Sequence, residues 1–216
     1  MKKIFTTSFL LLLLCAQSHA QSFRKGSLVV SISEGATNGR FTNKDMATNQ
    51  EVRDGNVGGD RDPLTIEYGV TDKWGIGINS GADIHHMSSA FYNLPIAAKK
   101  MDVLTSELTF DINYHFFVSD RTDLSAFGSA GMSSVFFKNI GDGDRKYEYN
   151  ASGTIVRVGA KAKYYVFKRF GFLGMVSAYK SNCTPNVRKT SAEASSISTN
   201  IVGTALEFGL CYRFLK

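Results

Sequence analysis

The sequence predicts an all-β chain: a single closed antiparallel up-and-down barrel of about eight strands. Two patterns carry that prediction. Apolar and polar residues alternate with a period of two through one stretch after another, and long polar connections alternate strictly with short turns between those stretches. With 216 residues, 43% hydrophobic content and 20 glycines against 3 prolines, the chain has the size and composition of one such domain.

Residues 1–20 read as a cleaved secretory signal, which leaves 21–216 as the barrel domain. Lys2 and Lys3 form the charged start, Ile4 to Ala16 an apolar run too short to cross a bilayer comfortably as a helix, and Ser18-His19-Ala20 a small-x-small cleavage site. Lipidation at Cys15 is not expected, because Leu14 stands where a small residue is wanted. Loss of Lys2 and Lys3 takes the formal charge from +6 to +4, and the remaining charges alternate in sign, so no nucleic-acid-binding block is present.

In the first strand Leu28, Val30 and Ile32 alternate with Val29, Ser31 and Ser33, ending at Glu34-Gly35. Residues 35–62 are rich in Asn, Asp, Gly and Thr, lack hydrophobic periodicity and are expected to form the first long loop. Pro63 opens the second strand, where a proline can start pairing but not continue it; Leu64, Ile66, Tyr68 and Val70 oppose Thr65, Glu67 and Gly69. After the turn Thr71-Asp72-Lys73, Trp74, Ile76 and Ile78 resume the apolar face against Gly75, Gly77 and Asn79. Tyr68 and Trp74 bracket that turn, as rings do at a lipid–water boundary.

A second long loop is expected over 82–102, made more apolar by Phe91, Tyr92 and Ile96. Strand four sets Leu104, Leu108, Phe110, Ile112, Tyr114 and Phe116 against Thr105, Glu107, Thr109, Asp111, Asn113 and His115. Residues 118–123 turn, and 124–137 form a glycine- and serine-rich strand whose facing the pattern leaves open. A third loop over 138–150 leads to strand six, with Val156, Val158, Ala160, Ala162, Tyr164 and Val166 opposite Arg157, Gly159, Lys161, Lys163 and Tyr165. A turn over 167–171, a seventh strand of open facing over 172–180 and a fourth loop over 181–200 precede the closing strand. There Val202, Leu206, Phe208, Leu210, Tyr212 and Phe214 alternate with Gly203, Glu207, Gly209, Cys211 and Arg213.

Alternation alone does not decide which face is inside, since a soluble barrel turns its greasy face inward. The polar face decides it: glycines crowd it, Glu67, Glu107, Asp111 and Glu207 lie on some strands, and Arg157, Lys161, Lys163 and Arg213 lie on others. A narrow lumen filled by charge pairs accounts for both features. Slipping strand six by one residue would put Arg157, Lys161 and Lys163 in hydrocarbon, at roughly 2–4 kcal/mol each near the midplane, against a total stability of about 5–15 kcal/mol. The expectation is a largely filled polar lumen with no continuous channel.

The octet Glu207-Phe208-Gly209-Leu210-Cys211-Tyr212-Arg213-Phe214 resembles the C-terminal assembly signal of bacterial outer-membrane β-barrels, with Leu215 and Lys216 following where that signal usually ends. Together with the leader and the loop asymmetry, the mature chain resembles the small outer-membrane barrels of the OmpA, OmpX and OmpW type. The resemblance implies a transmembrane β-barrel in a Gram-negative cell outer membrane. It would be inserted by the outer-membrane assembly machinery through Glu207, Gly209, Tyr212 and Phe214, and bathed in outer-membrane lipid and lipopolysaccharide. It implies no particular activity. The expectation is a monomeric, non-enzymatic structural or surface-interaction protein without cofactor or metal. Its alternatives are a transporter of small apolar molecules with a mouth at 91–96, a soluble periplasmic ligand-binding barrel, and a lipid-modifying enzyme.

Candidate chemistry is sparse. His86-Met87-Ser88 has a His-x-Ser spacing that resembles a lipid A deacylase motif and puts both residues on one strand face, but no orienting acid is identifiable from the sequence, and a polar loop-edge pair is the reading adopted. His85 and His86 point to opposite faces and lack a third metal ligand. Asp54, Asp60, Asp62, Asp142 and Asp144 lack the spacing of a calcium loop and read as solvated turns. His115 is expected to be a lumenal or turn-proximal hydrogen-bonding residue, and Cys183 and Cys211 to lie at opposite ends of the barrel, unbridged.

Overall fold

The computed structural model describes residues 22–88, 100–140, 146–186, 188, 190 and 196–214. The expected leader, residues 91–96, Asp142, Asp144, Leu215 and Lys216 lie outside the described residues. Eight antiparallel strands follow one another around a closed barrel: β1 (Leu28–Asp45), β2 (Glu51–Gly69), β3 (Trp74–Ser88), β4 (Lys100–Val118), β5 (Thr122–Ile140), β6 (Lys146–Tyr165), β7 (Phe170–Pro185) and β8 (Ile197–Phe214). The short turns after Gly69, Val118 and Tyr165 lie at one end, together with the start of β1 and the end of β8.

The register sets the shape. Stepping across the ladders from Ser181 on β7 through Ile155, Gly131, Thr109, Asn79, Thr65, Ser31 and Cys211 returns to β7 at Gly171, ten residues from the start. A slip of that size over eight strands tilts them by about 40° and leaves an interior that side chains alone can fill.

The four long loops are shorter than the sequence reading has them. Residues 35–45 and 51–62 are strand, so the first connection is a tight hairpin at 46–50, where the Asp45 carboxylate accepts the N–H groups of Ala47 and Thr48 at 2.9 Å. Pro63 lies within β2 rather than at its start, and the β1–β2 ladder skips from Ile32↔Leu64 to Gly35↔Arg61 around it, since proline has no N–H to donate. The strands likewise run on through 82–88, 100–102, 138–140, 146–150, 181–185 and 197–200.

These extensions carry no continuous apolar alternation because the apolar face changes side. In the turn-end half, the outward residues are apolar: Ile66, Ile78, Phe110, Ile112, Val158, Val176, Leu206 and Phe208 are all exposed on the wall. Toward the hairpin end the outward residues of β1 and β2 become Asn38, Arg40, Asn56 and Asp60, while Phe41, Val57, Val103, Val135, Phe137, Ile155 and Ile201 point inward and are buried together. The molecule is thus two barrels on one set of strands: a lower one, apolar outside and charged inside, and an upper one, polar outside and apolar inside. The facing of β5 follows, with Met132 on the wall and Val135 and Phe137 in the core, and on β7 Phe172 and Val176 face out while Leu173, Met175 and Tyr179 face in.

Val158, 62% exposed in the lower wall, tests the boundary between the two regimes. Val158→Arg is expected to cost about 2–4 kcal/mol in bilayer-based unfolding titrations, and Asn38→Arg, in the upper wall, under about 0.5 kcal/mol.

Candidate functional site

The lower barrel holds two tiers of buried charge. The upper tier centres on Arg61, whose guanidinium donates from Nε to Glu207 at 2.8 Å, from Nη1 to Asp83 at 2.9 Å and from Nη2 to Glu107 at 2.5 Å. Arg157 donates to the other oxygen of Glu107 at 2.8 Å and to Ser177 at 2.8 Å, with its guanidinium 4.6 Å from the Tyr179 ring centre. Gly81 leaves room for this tier, because a Cβ there would lie 2.9–3.1 Å from three guanidinium atoms of Arg61 and press on that side chain.

The lower tier joins Lys163 to Glu67 at 2.6 Å and to Asp123 at 3.4 Å. His115 meets the same two acids, Nδ1 to Asp123 at 2.6 Å and Nε2 to Glu67 at 2.8 Å, a pattern satisfied when both ring nitrogens carry protons. Lys161 reaches Asp111 at 3.3 Å and Asn113 at 2.9 Å and lies 4.4 Å from the Phe127 ring centre. Arg213 stacks over Tyr165 at 4.8 Å and donates to the Lys168 carbonyl at 2.6 Å.

Glu67, Glu107, Asp111, Arg157, Lys161, Lys163, Glu207 and Arg213 therefore all point into the barrel, and seven of them join the two tiers. Arg61, Asp83 and Asp123 belong to the same network and were missed, because the sequence reading placed them in loops or a turn. Extending the period of two backward from Thr65 through Pro63 would have found Arg61.

Both ends of the charged tiers are closed. The segment 22–27 crosses the turn end: Ser22 N–H donates to Ser119 O at 2.8 Å and Gly26 N–H to Gly69 O at 2.7 Å. Phe23, fully buried, stacks on His115 with ring centres 3.4 Å apart. Above the upper tier sits the apolar core of the second barrel, and the space left between Asp83, His85, Thr105 and Tyr179 is about 10 Å³, room for one water and no solute.

On the outer wall Trp74 packs against Tyr114 with ring centres 4.8 Å apart, and Tyr212 against Phe214 at 4.9 Å, within a girdle at the turn end that also includes Tyr68, Tyr164 and Phe172. Of the residues that resemble an assembly signal, Glu207 and Gly209 face the interior and Tyr212 and Phe214 the wall. His85 faces inward and is buried; His86 faces outward, and its Nδ1 lies 2.6 Å from Asp102 on β4, its register partner. The acid beside His86, not identifiable from the sequence, is Asp102, sixteen residues away in the chain but directly opposite across the ladder. Asp60 and Asp62 are exposed on the outer wall. Cys183 and Cys211 are free, buried at opposite ends of the barrel. Among the described residues no group of three or more His, Cys, Asp or Glu is placed to hold a metal ion.

An apolar wall with an aromatic girdle around a charged interior defines a transmembrane β-barrel, and closed eight-stranded barrels of this build are structures of bacterial outer membranes. No family model matches the chain, and no curated protein matches its sequence. Among solved structures it is similar to the outer membrane protein OprG from Pseudomonas aeruginosa, at 11% identity over 90% of this chain and 98% of that chain with a TM-score of 0.54. It is also similar to the outer membrane protein AlkL, determined by solid-state NMR in DMPC lipid bilayers, at 13% identity over 93% of this chain and 95% of that chain with a TM-score of 0.52. At these identities the likeness is one of fold.

Proposed function

We propose that this protein is a sealed outer-membrane barrel that acts through its outward surfaces, as a structural element of the envelope and a platform for surface interaction, rather than by conducting solutes through its lumen. The observation that carries this reading is the continuous filling of the axis: Phe23 over His115, then the Lys163 and Arg61 tiers, then the apolar core around Phe41 and Phe137. In this reading the protein is a monomer in lipid and lipopolysaccharide, assembled through the aromatic end of β8. The upper barrel lifts the hairpins clear of the membrane toward the exterior, where partners would meet them. The residues on which an apolar transport mouth would depend, 91–96, lie outside the described residues.

Planar-bilayer recording provides the test. The wild-type protein is expected to show no stable conductance step, and a large stable conductance from the folded, heat-modifiable species would overturn the reading.

A further inference from the structure

Gly128 is a glycine that packing does not explain. Gly159 and Gly209 face the crowded interior, where a Cβ would run into the carbonyl oxygens of Val176 and Ile32. Gly128 lies on the outward face of β5, between the buried Phe127 and Ser129, and a Cβ there would meet nothing within 4 Å. A glycine inside a strand weakens it, and where no neighbour crowds it, it marks a place that another molecule approaches closely.

That place is a groove in the outer wall. Ala126, Gly128 and Ala130 form its floor, and Trp74, Tyr114 and Phe110 stand along one side, around an apolar recess of about 770 Å³. Recesses of roughly 300–1,000 Å³ are the size that takes a small ligand. Trp74, Tyr114 and Ala126 are register partners in one row across β3, β4 and β5. Ala130 stands four residues further along β5, about 13 Å at 3.3 Å per residue. That is about half of the roughly 25 Å apolar band of such barrels, so the groove spans one leaflet, the one on the side of the turns. A second barrel is convex and would bridge such a recess, whereas an acyl chain can lie along it.

Charge at the foot of the groove selects the headgroup. Lys73 is exposed beside Trp74. Its backbone is held on both sides: its N–H and that of Trp74 donate to Thr71 Oγ1 at 3.2 and 2.9 Å, and its carbonyl accepts the N–H of His115 at 2.8 Å. Its ammonium makes no salt bridge among the described residues. The three short turns and the segment 22–27 together carry Arg24, Lys25, Lys73, Arg121, Lys168 and Arg169 against Asp72 and Asp120. The turn end is thus a basic ring at the level of the lipid headgroups, which draws anionic lipid.

We propose that the groove over Gly128 binds an anionic phospholipid of the turn-side leaflet, with one acyl chain against Ala126, Gly128 and Ala130 and the phosphate at Lys73. The Trp74–Tyr114 pair stands where chain meets headgroup, the level that amphipathic rings favour. Shape holds the chain and charge chooses the headgroup. Phosphatidylethanolamine brings an ammonium of its own, which competes with Lys73 for the phosphate; phosphatidylglycerol does not. The inference goes beyond the sealed-barrel reading and does not depend on the lumen, so a conducting barrel would leave it standing.

Trp74 is the single tryptophan of the chain, and its fluorescence reports on the groove directly. The full-length protein is folded into phosphatidylethanolamine vesicles holding a minor fraction of phosphatidylglycerol, with bromine near the headgroup end of the acyl chains of one lipid or the other. Brominated phosphatidylglycerol is expected to quench Trp74 as though enriched about fivefold over its share of the bilayer, the weight of one basic side chain at the surface. Lys73→Gln is expected to abolish that enrichment. Gly128→Leu is expected to abolish it too, by filling the groove with a side chain that enters open space and leaves the wall intact. Heat-modifiability gels confirm that both variants are folded. Quenching in proportion to bulk composition in the wild type, or an enrichment that either variant retains in full, would overturn the proposal. So would cross-linking of a Gly128→Cys variant to a second copy, which would give the groove to self-association.

Discussion

Replacing Arg61 with methionine is expected to destabilise the barrel by about 3–5 kcal/mol, the cost of leaving buried acids without their cation. Arg61 is fully buried and touches Asp83, Glu107 and Glu207 at once, joining β2 to β3, β4 and β8 through the lumen. The interaction is not valuable because ion pairs are strong in themselves; desolvation offsets most of their attraction. Its removal is costly because three buried carboxylates lose that cation, and among the described residues Glu107 alone keeps an arginine, Arg157. The urea midpoint of the folded protein in detergent reads the effect. Adding Glu207→Gln to Arg61→Met should recover part of the loss, since one uncompensated charge disappears, whereas Arg157→Met should cost less, because Glu107 keeps Arg61. A midpoint unchanged in Arg61→Met would mean that the tier does not hold the wall together.

Truncating Phe41 to alanine is expected to cost about 3–5 kcal/mol and to do so locally. Phe41 is fully buried in the upper barrel, edge-on to His85 with ring centres 4.9 Å apart, among Val57, Val103 and Ile201. That core is separated from the lipid-facing barrel by the Arg61 tier, and among the described residues it is held by its own packing. Amide exchange should therefore accelerate over 37–43, 55–59 and 199–203 while 64–68 and 206–212 stay protected. Uniform acceleration through both sets would show that the two barrels unfold as one unit.

The two expected results differ in how much of their basis could be read in advance. The bases and acids of the lower barrel were legible on β4, β6 and β8, because hydrophobic alternation ran unbroken beside them and a one-residue slip would have driven them into hydrocarbon. On β2 the apolar alternation stops at Leu64, so the next inward residue but one, Arg61, reads as part of a loop. The reason is that the apolar residues had changed face, not that the strand had ended. A strand leaving hydrocarbon for water keeps its period of two but inverts its phase, and averaged across the inversion the period vanishes from view. Met132 outward with Val135 and Phe137 inward, three and five residues later, is that inversion within a single strand.

Taken alone, the amino-acid sequence determined that the chain is a closed barrel of about eight strands with short turns at one end, and that Arg157, Lys161 and Lys163 face its axis, because alternation and the cost of charge in lipid are both local properties of a strand. Only the tertiary structure decided that Arg61 binds three acids at once, that Phe23 caps His115, and that Asp102 stands opposite His86. Those contacts depend on cross-strand register, and register is set by how all eight strands close around one circumference, a condition that no single segment contains.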